Sequence, residues 1–128
     1  MIKISKYNSR KVIYKNHTFD SQKEFRRFTE LELLLKSSEI NHLECQPKFE
    51  VVPALRMPDT IGKRGGIKKG KTIENAVYYY ADFMYWDNQK QKWVVEDVKS
   101  EATKTQSYII KRKLFRQIYP DYLFVEVE

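Results

Sequence analysis

The sequence has few of the residues that build common metal centres and nucleophilic active sites. Cys45 is the only cysteine, and His17 and His42 are the only histidines among 128 residues. One cysteine allows neither an intrachain disulfide nor a cysteine-based zinc cluster, and two separated histidines do not make a histidine metal site. A serine or cysteine nucleophile also needs a positioned base, and no pair in the sequence has that spacing.

Long apolar stretches are missing as well. The chain has no apolar run of about 18 residues, the length that a membrane helix requires. The segment 1–6 lacks the apolar centre of a signal peptide. We therefore expect a cytoplasmic protein that does not contact a membrane.

The net charge is +7, from 24 Lys and Arg against 17 Asp and Glu. A basic surface raises the local concentration of polyanions such as nucleic acid, although charge alone does not identify a partner. The length predicts one domain, over residues 1–128, with a single core.

Hydrophobic patterning predicts a mixed α/β fold (α+β class) in the order β-β-α-β-β-β-α-β, with a central mixed sheet flanked by two helices. A basic lead-in over residues 1–9 comes first. The predicted elements are a hairpin over 10–19, a helix over about 21–36, a strand over 43–52 interrupted at Pro47, a hairpin over 78–100, a helix over 106–119 and a strand over 122–127.

The hairpin over 78–100 carries acidic side chains in two aromatic and β-branched strands. A four-residue loop at 88–91 places Trp86 opposite Trp93 and, in the same register, Asp82 opposite Asp97. Alternation puts Asp97 and Lys99 on one face and Glu96 on the other. Lys99 then lies roughly 6–7 Å along the strand from Asp97.

Two carboxylates opposite each other repel and lose hydration when they are half-buried. A divalent cation removes that conflict, since magnesium prefers oxygen ligands. Lys99 is placed to orient a water or a phosphate oxygen. The alternative is a buried Asp97–Lys99 ion pair without a catalytic role.

The first helix begins with Ser21 as N-cap and Glu24 three residues later, which is a capping-box pattern. Glu24 lies in line with the apolar residues Phe28 and Leu31, so it points toward the sheet. It is either a capping residue, which the spacing alone favours, or a third acidic ligand. The charged residues assigned to the solvent side of this helix are Lys23, Arg26, Arg27 and Glu30.

Two basic segments are candidates for phosphate contacts. Residues 53–74 contain two prolines and all four glycines and are predicted to form a long flexible loop, either solvated or closing around a phosphate backbone. The second helix is basic around an apolar line of Ile110, Leu114 and Ile118. The candidate nucleic-acid-binding residues are Lys63, Arg64, Lys68, Lys69, Lys71, Lys104, Lys111 and Lys113.

A helix with Glu24, a strand with Asp82 and a strand with Asp97-Val98-Lys99 resemble the PD-(D/E)XK nuclease superfamily. The segments 19–24, 46–47, 80–83 and 95–99 are similar to a family of short phage-borne proteins described as endonuclease-like or Holliday-junction-resolvase-like. The resemblance covers about residues 10–125. It departs from the usual pattern at Ala81, where a proline is customary.

This resemblance implies a restriction-endonuclease-like core and Mg²⁺- or Mn²⁺-dependent hydrolysis of DNA, with branched DNA as substrate in phage recombination or DNA processing in the host cytoplasm. Asp82, Asp97 and Glu24 would bind the metal and Lys99 would help activate water. Gln46 and Glu96 take supporting positions. A homodimer is expected if junctions are cut symmetrically.

Two other functions stay open. The chain could be a catalytically silent nuclease-fold protein that binds nucleic acid or a host or satellite regulatory protein. It could also be a basic RNA-binding domain.

Overall fold

The computed structural model describes residues 3–4 and 11–128 of the chain. Most of the basic lead-in predicted over residues 1–9 lies outside these described residues. The strands are β1 (Lys3–Ile4), β2 (Val12–Tyr14), β3 (His17–Phe19), β4 (Ile40–Cys45), β5 (Lys48–Val52), β6 (Leu55–Arg56), β7 (Thr60–Ile61), β8 (Ile67–Lys68), β9 (Thr72–Glu74), β10 (Val77–Tyr80), β11 (Phe83–Asp87), β12 (Lys92–Val98) and β13 (Leu123–Val127). The α-helices are α1 (Gln22–Lys36) and α2 (Gln106–Ile118), and a short 3₁₀ turn spans Glu101–Thr103.

A four-stranded sheet in the order β13-β12-β11-β4 forms the centre. Strands β12 and β13 are parallel, and the other neighbours are antiparallel. The predicted mixed sheet with two helices is therefore confirmed. The described part of the chain has more strands than the predicted order, because segments predicted as one strand or as a loop form two or more short strands.

The two helices cover opposite faces of the sheet. Phe28 and Leu31 of α1 pack with Phe83, Tyr85 and Val94. Phe115 and Tyr108 of α2 pack with a second cluster that contains Val95, Tyr79 and Phe49. Since Val94 and Val95 are adjacent in β12, their burial in different clusters confirms the alternation predicted for this strand.

Strands β4 to β11 form one bent antiparallel ribbon. Phe83 pairs with Cys45, and Tyr80 pairs with Lys48 on the other side of a kink. Across the kink, Gln46 N–H donates to the Asp82 carbonyl at 2.9 Å and Ala81 N–H donates to the Pro47 carbonyl at 3.2 Å. Gln46 has a φ of 53°, a left-handed conformation in which the chain changes direction before Pro47.

This kink corrects the prediction of one continuous strand over 78–86. The segment divides into β10 and β11 at Ala81–Asp82. Tyr79 and Ala81 belong to the α2-side cluster, while Phe83 and Tyr85 belong to the α1-side cluster. The side chains at odd-numbered positions therefore change from the α2 side to the α1 side of the sheet at Ala81–Asp82. The reason is that β10 pairs with β5, whereas β11 pairs with β4.

The flexible loop predicted over 53–74 is also corrected. Strand β6 pairs with β9 and β7 pairs with β8, which continues the ribbon outward from β5 and β10. The turn is closed by Gly62 N–H, which donates to the Gly66 carbonyl at 2.7 Å. Pairing with the opposing strand gives this glycine-rich segment its backbone hydrogen bonds.

In α2 the predicted apolar line is wrong at Ile110 and Ile118 and confirmed at Leu114, which packs against the second core cluster. Ile110 and Ile118 are exposed, whereas Tyr108 and Phe115 are buried against the sheet. The aromatic side chains bury more area than the isoleucines, so they decide which side of the helix faces the core. In the described part of the chain, no helix is both long and apolar enough to cross a membrane.

Candidate active site

Asp82 lies at the kink, where the ribbon passes from β10 to β11. Its N–H donates both to the Glu96 carbonyl at 3.0 Å and to Asp97 Oδ1 at 2.9 Å. Its own Oδ2 accepts the N–H of Val98 at 2.7 Å. The predicted register, observed as Trp86 opposite Trp93, thus continues to Asp82 and Asp97 and brings the two carboxylates together.

Asp97 is 2% exposed. Besides Asp82 N–H, it accepts a hydrogen bond at Oδ2 from the hydroxyl of Tyr79. Burial raises the pKa of Asp97 to about 7, and repulsion from Asp82 acts in the same direction. The Tyr79 hydroxyl and the charge of Lys99 oppose that rise in pKa, since both stabilise the ionised form.

Burial also raises the pKa of Asp82, while the hydrogen bond from Val98 and the charge of Lys99 lower it. The carboxyl groups of Asp82 and Asp97 are close enough to share a hydrogen bond, which lowers the pKa of Asp82 further. Two carboxylates in such contact hold one proton between them more easily than two negative charges. A cation can take the place of that proton.

Glu24 approaches the pair from the first turn of α1 and is 4% exposed. Burial raises the pKa of Glu24 to about 8, and repulsion from Asp82 adds to this. Ser21 is the N-cap, as predicted, with its Oγ accepting from Glu24 N–H at 3.1 Å. In a capping box the Glu24 side chain would in turn accept the N–H of Ser21. Here Glu24 Oε2 instead accepts the N–H of Asp20, at 3.2 Å.

Lys99 completes the group. Its Nζ lies 4.7 Å from the centre of the Tyr108 ring, a cation–π contact on the α2 side of the sheet. Its charge acts on both Asp82 and Asp97. The structure therefore brings Asp82 and Asp97 into contact, and it places Glu24 of α1 and Lys99, just after β12, near enough for their charges to act on this pair.

The sequence model of a family described as "Protein of unknown function (DUF1064)" matches residues 4–126. The chain belongs to the DUF1064 family. No curated protein and no solved structure matches it.

The acidic group of this DUF1064 protein is a pair with a third carboxylate beside it. Among residues 11–128, no three His, Cys, Asp or Glu side chains are already arranged as a metal-binding cluster. The donor chemistry nevertheless fits a hard cation, because every candidate ligand is a carboxylate oxygen and the raised pKa values of Asp82, Asp97 and Glu24 reflect negative charge crowded away from water.

Glu96 lies on the opposite face of β12, as alternation predicts. It is 0% exposed, and Arg27 binds it through Nε and Nη2 at 2.8 and 2.7 Å. The Tyr85 hydroxyl donates to the same carboxylate. The placement of Arg27 on the solvent side of α1 is therefore wrong, because its guanidinium reaches past the helix to neutralise a buried acid.

Gln46 supports the site through its backbone. Its N–H fixes the Asp82 carbonyl, while its side-chain amide donates to the Thr18 carbonyl at 3.1 Å and so ties the kink to β3. Pro47 follows it as a buried residue.

The predicted phosphate-binding lysines lie in two separate places. Lys63, Arg64, Lys68, Lys69 and Lys71 lie on the outer part of the ribbon, in and around β7–β9. Of the others, Lys104 pairs with Glu101 at 2.9 Å and Glu126 at 3.7 Å, Lys111 is half-buried and Lys113 is exposed. Lys104 is therefore engaged in ion pairs, whereas Lys113 is open to solvent.

Sequence reasoning missed Tyr79 as a partner of Asp97. In an uninterrupted strand Tyr79 and Asp82 alternate to opposite faces, so no local signal placed the Tyr79 hydroxyl at the acidic pair. The kink at Ala81–Asp82 brings it there. Asp20, whose charge acts on Glu24 and Asp82, was missed because it precedes the N-cap as an ordinary polar residue.

Proposed function

We propose that this DUF1064 protein is a divalent-metal-dependent endonuclease that hydrolyses phosphodiester bonds in DNA. The supporting observation is the contact of the half-buried Asp82 with the buried Asp97, whose Oδ1 accepts the Asp82 N–H, with the charges of Glu24 and Lys99 acting on the same pair. A stable fold gains nothing from crowding acids in this way, whereas a cation site requires it.

Asp82 and Asp97 are the residues that would hold Mg²⁺ or Mn²⁺, with Glu24 at the side of the pair. A bound ion of this kind lowers the pKa of water and stabilises charge on a phosphate. Lys99 lies beside the pair and would orient the attacking water or a phosphate oxygen. Branched DNA is the proposed substrate, on the basis of the sequence resemblance.

The test is cleavage of labelled branched and linear DNA with Mg²⁺, with Mn²⁺ and with chelator. Asp97→Asn keeps the size of the side chain and removes its charge, so we expect loss of metal-stimulated cleavage with DNA binding retained. Asp121→Asn, at an exposed position in the turn before β13, is the matched control. Cleavage by Asp97→Asn at the wild-type rate would reject the proposal.

A catalytically silent protein on this scaffold is the second candidate. It is favoured by the contacts of Asp97 and Lys99, since both Asp97 oxygens already accept hydrogen bonds and Lys99 lies on the Tyr108 ring. Calorimetry with Mn²⁺ near pH 7 separates the two candidates. If the cation displaces the shared proton, the buffer takes up that proton, and the measured heat of binding depends on the buffer's ionisation enthalpy. Asp82→Ala is expected to abolish this heat. A silent scaffold gives no such heat.

A further inference from the structure

The outer part of the ribbon, residues 55–74, forms a two-stranded projection that we name the basic arm. Its strands β6–β9 pair with each other beyond β5 and β10. Gly70 packs so closely that a Cβ there would lie 1.7 Å from the Met57 carbonyl oxygen. Gly70 N–H donates to Asp59 Oδ1 at 2.8 Å. The arm is therefore an ordered ribbon with a required glycine.

The end of the arm has two unlike faces. Ile61 and Ile67 are directly paired, so they share one face, and they are 81% and 78% exposed. Thr60 and Lys68 are the next pair and take the other face. An apolar pair left in water at the end of a projecting ribbon indicates a surface that is covered by a partner.

The charge of the arm identifies the class of partner. Residues 55–74 contain six basic and two acidic side chains, a net +4 out of +7 for the chain. Two arms packed on each other would bring these like charges together, so charge disfavours a second copy as the partner and favours a polyanion.

We propose that the basic arm enters the major groove of duplex DNA, with Ile61 and Ile67 against the base edges and with Lys63 and Arg64, in the turn at its tip, at the phosphates. The major groove, about 12 Å wide, admits a two-stranded ribbon and presents thymine methyl groups to apolar side chains. The major groove of A-form RNA is too narrow to be read in this way. This inference rests on the proposed action on DNA and is independent of hydrolysis.

The arm also has a fixed relation to the acidic pair, because β10 runs directly from it into Ala81 and Asp82. The segment from Ile67 to Ala81 spans at most about 46 Å, at about 3.3 Å per residue. That reach exceeds one turn of duplex DNA, about 34–36 Å. A duplex held by the arm can therefore extend back to the site.

The experiment is fluorescence anisotropy of a labelled DNA duplex with the full chain in EDTA, where no metal-dependent hydrolysis occurs. The arm variants are Lys63→Gln/Arg64→Gln, Ile61→Ser/Ile67→Ser and Gly70→Ala. Lys90→Gln/Lys92→Gln, in the β11–β12 turn and at the start of β12, and Ile110→Ser on α2 are matched controls at exposed positions.

Removing two phosphate contacts is expected to lower the slope of log K against log salt by about two units. Ile61→Ser/Ile67→Ser is expected to weaken DNA binding about tenfold and to leave the salt slope unchanged. Replacing thymine by uracil in the duplex is then expected to have no effect on the affinity of this variant. Gly70→Ala weakens binding without changing charge.

Arm variants that bind DNA as the controls do would overturn the inference, as would equal binding of the wild type to duplex RNA or to anionic vesicles. Failure of DNA cleavage with arm-dependent binding intact would reject only the hydrolytic function. Cleavage with arm-independent binding would reject only the role of the arm.

Discussion

Asp82 and Asp97 are joined in both directions between the kink and β12. Asp82 N–H donates to Asp97 Oδ1 at 2.9 Å, and the N–H of Val98, the residue after Asp97, donates to Asp82 Oδ2 at 2.7 Å. These bonds fix the position of both carboxyl groups before any ligand arrives. Preorganisation of this kind is expected of a site that binds a cation, since the backbone hydrogen bonds hold the two carboxyl groups together against their mutual repulsion before the cation binds.

The first prediction concerns stability in chelator. The pKa of Glu24 is raised to about 8 and that of Asp97 to about 7, from ordinary values near 4. Between about pH 4 and pH 8 the folded state therefore keeps protons that the unfolded state has lost, so the free energy of unfolding falls as pH rises through this range. Because each unit of raised pKa corresponds to about 1.4 kcal/mol, we expect Glu24 and Asp97 together to lower the free energy of unfolding by several kcal/mol across this range.

Urea unfolding followed by circular dichroism from pH 4.5 to 8.5 in EDTA measures this slope. Glu24→Gln keeps a hydrogen-bond acceptor for Asp20 N–H and is expected to flatten the upper part of the curve. Glu44→Gln, at an exposed position of β4, is expected to leave the curve unchanged. A stability that rises from pH 5 to 8 in EDTA would contradict the raised pKa values.

The acidic pair illustrates what could be predicted from sequence. A short turn and the Trp86–Trp93 pair fixed the register of β11 and β12, and the register placed Asp82 opposite Asp97. These are local relationships, in which the partner strand follows within a few residues. The opposite faces of Glu96 and Asp97 were predictable for the same reason.

The basic arm and the kink were not predictable in this way. Their geometry depends on pairing between strands on either side of the Gly62–Gly66 turn, and composition there indicates only a loop. The exposed side of α2 was missed for a different reason. Tyr108 and Phe115 compete with Ile110 and Ile118 for the core, and periodicity alone cannot choose between two rows on one helix.

The second prediction concerns Tyr79. Its hydroxyl donates to Asp97 and holds down the pKa of that carboxyl, and the pKa of Tyr79 itself is raised by burial, so it stays protonated as a donor. In Tyr79→Phe the pKa of Asp97 rises further. Because a cation binds only the deprotonated acid, the acidic limb of metal-dependent activity is expected to move to higher pH by up to about one unit.

The measurement is the pH dependence of metal-stimulated cleavage, with Mn²⁺ affinity by calorimetry as a second readout. Tyr80→Phe, at the exposed neighbouring position, is the control. Activity of Tyr79→Phe at pH 9 is expected to approach that of the wild type, which a general loss of structure would not allow. An acidic limb that does not move would show that Tyr79 leaves the pKa of Asp97 unaffected.

The third prediction concerns Arg27 and Glu96 on the α1 face. Replacing Arg27 by Met leaves the fully buried Glu96 with only the Tyr85 hydroxyl as a side-chain partner, and an uncompensated buried charge costs about 3–5 kcal/mol. Urea unfolding is expected to show a loss of this size for Arg27→Met and a small effect for the exposed Arg26→Met. Combining Arg27→Met with Glu96→Leu removes both charges and is expected to restore most of the stability. Equal losses for the double and the single variant would show that packing of the Arg27 side chain, and not neutralisation of Glu96, is what stabilises this face of β12.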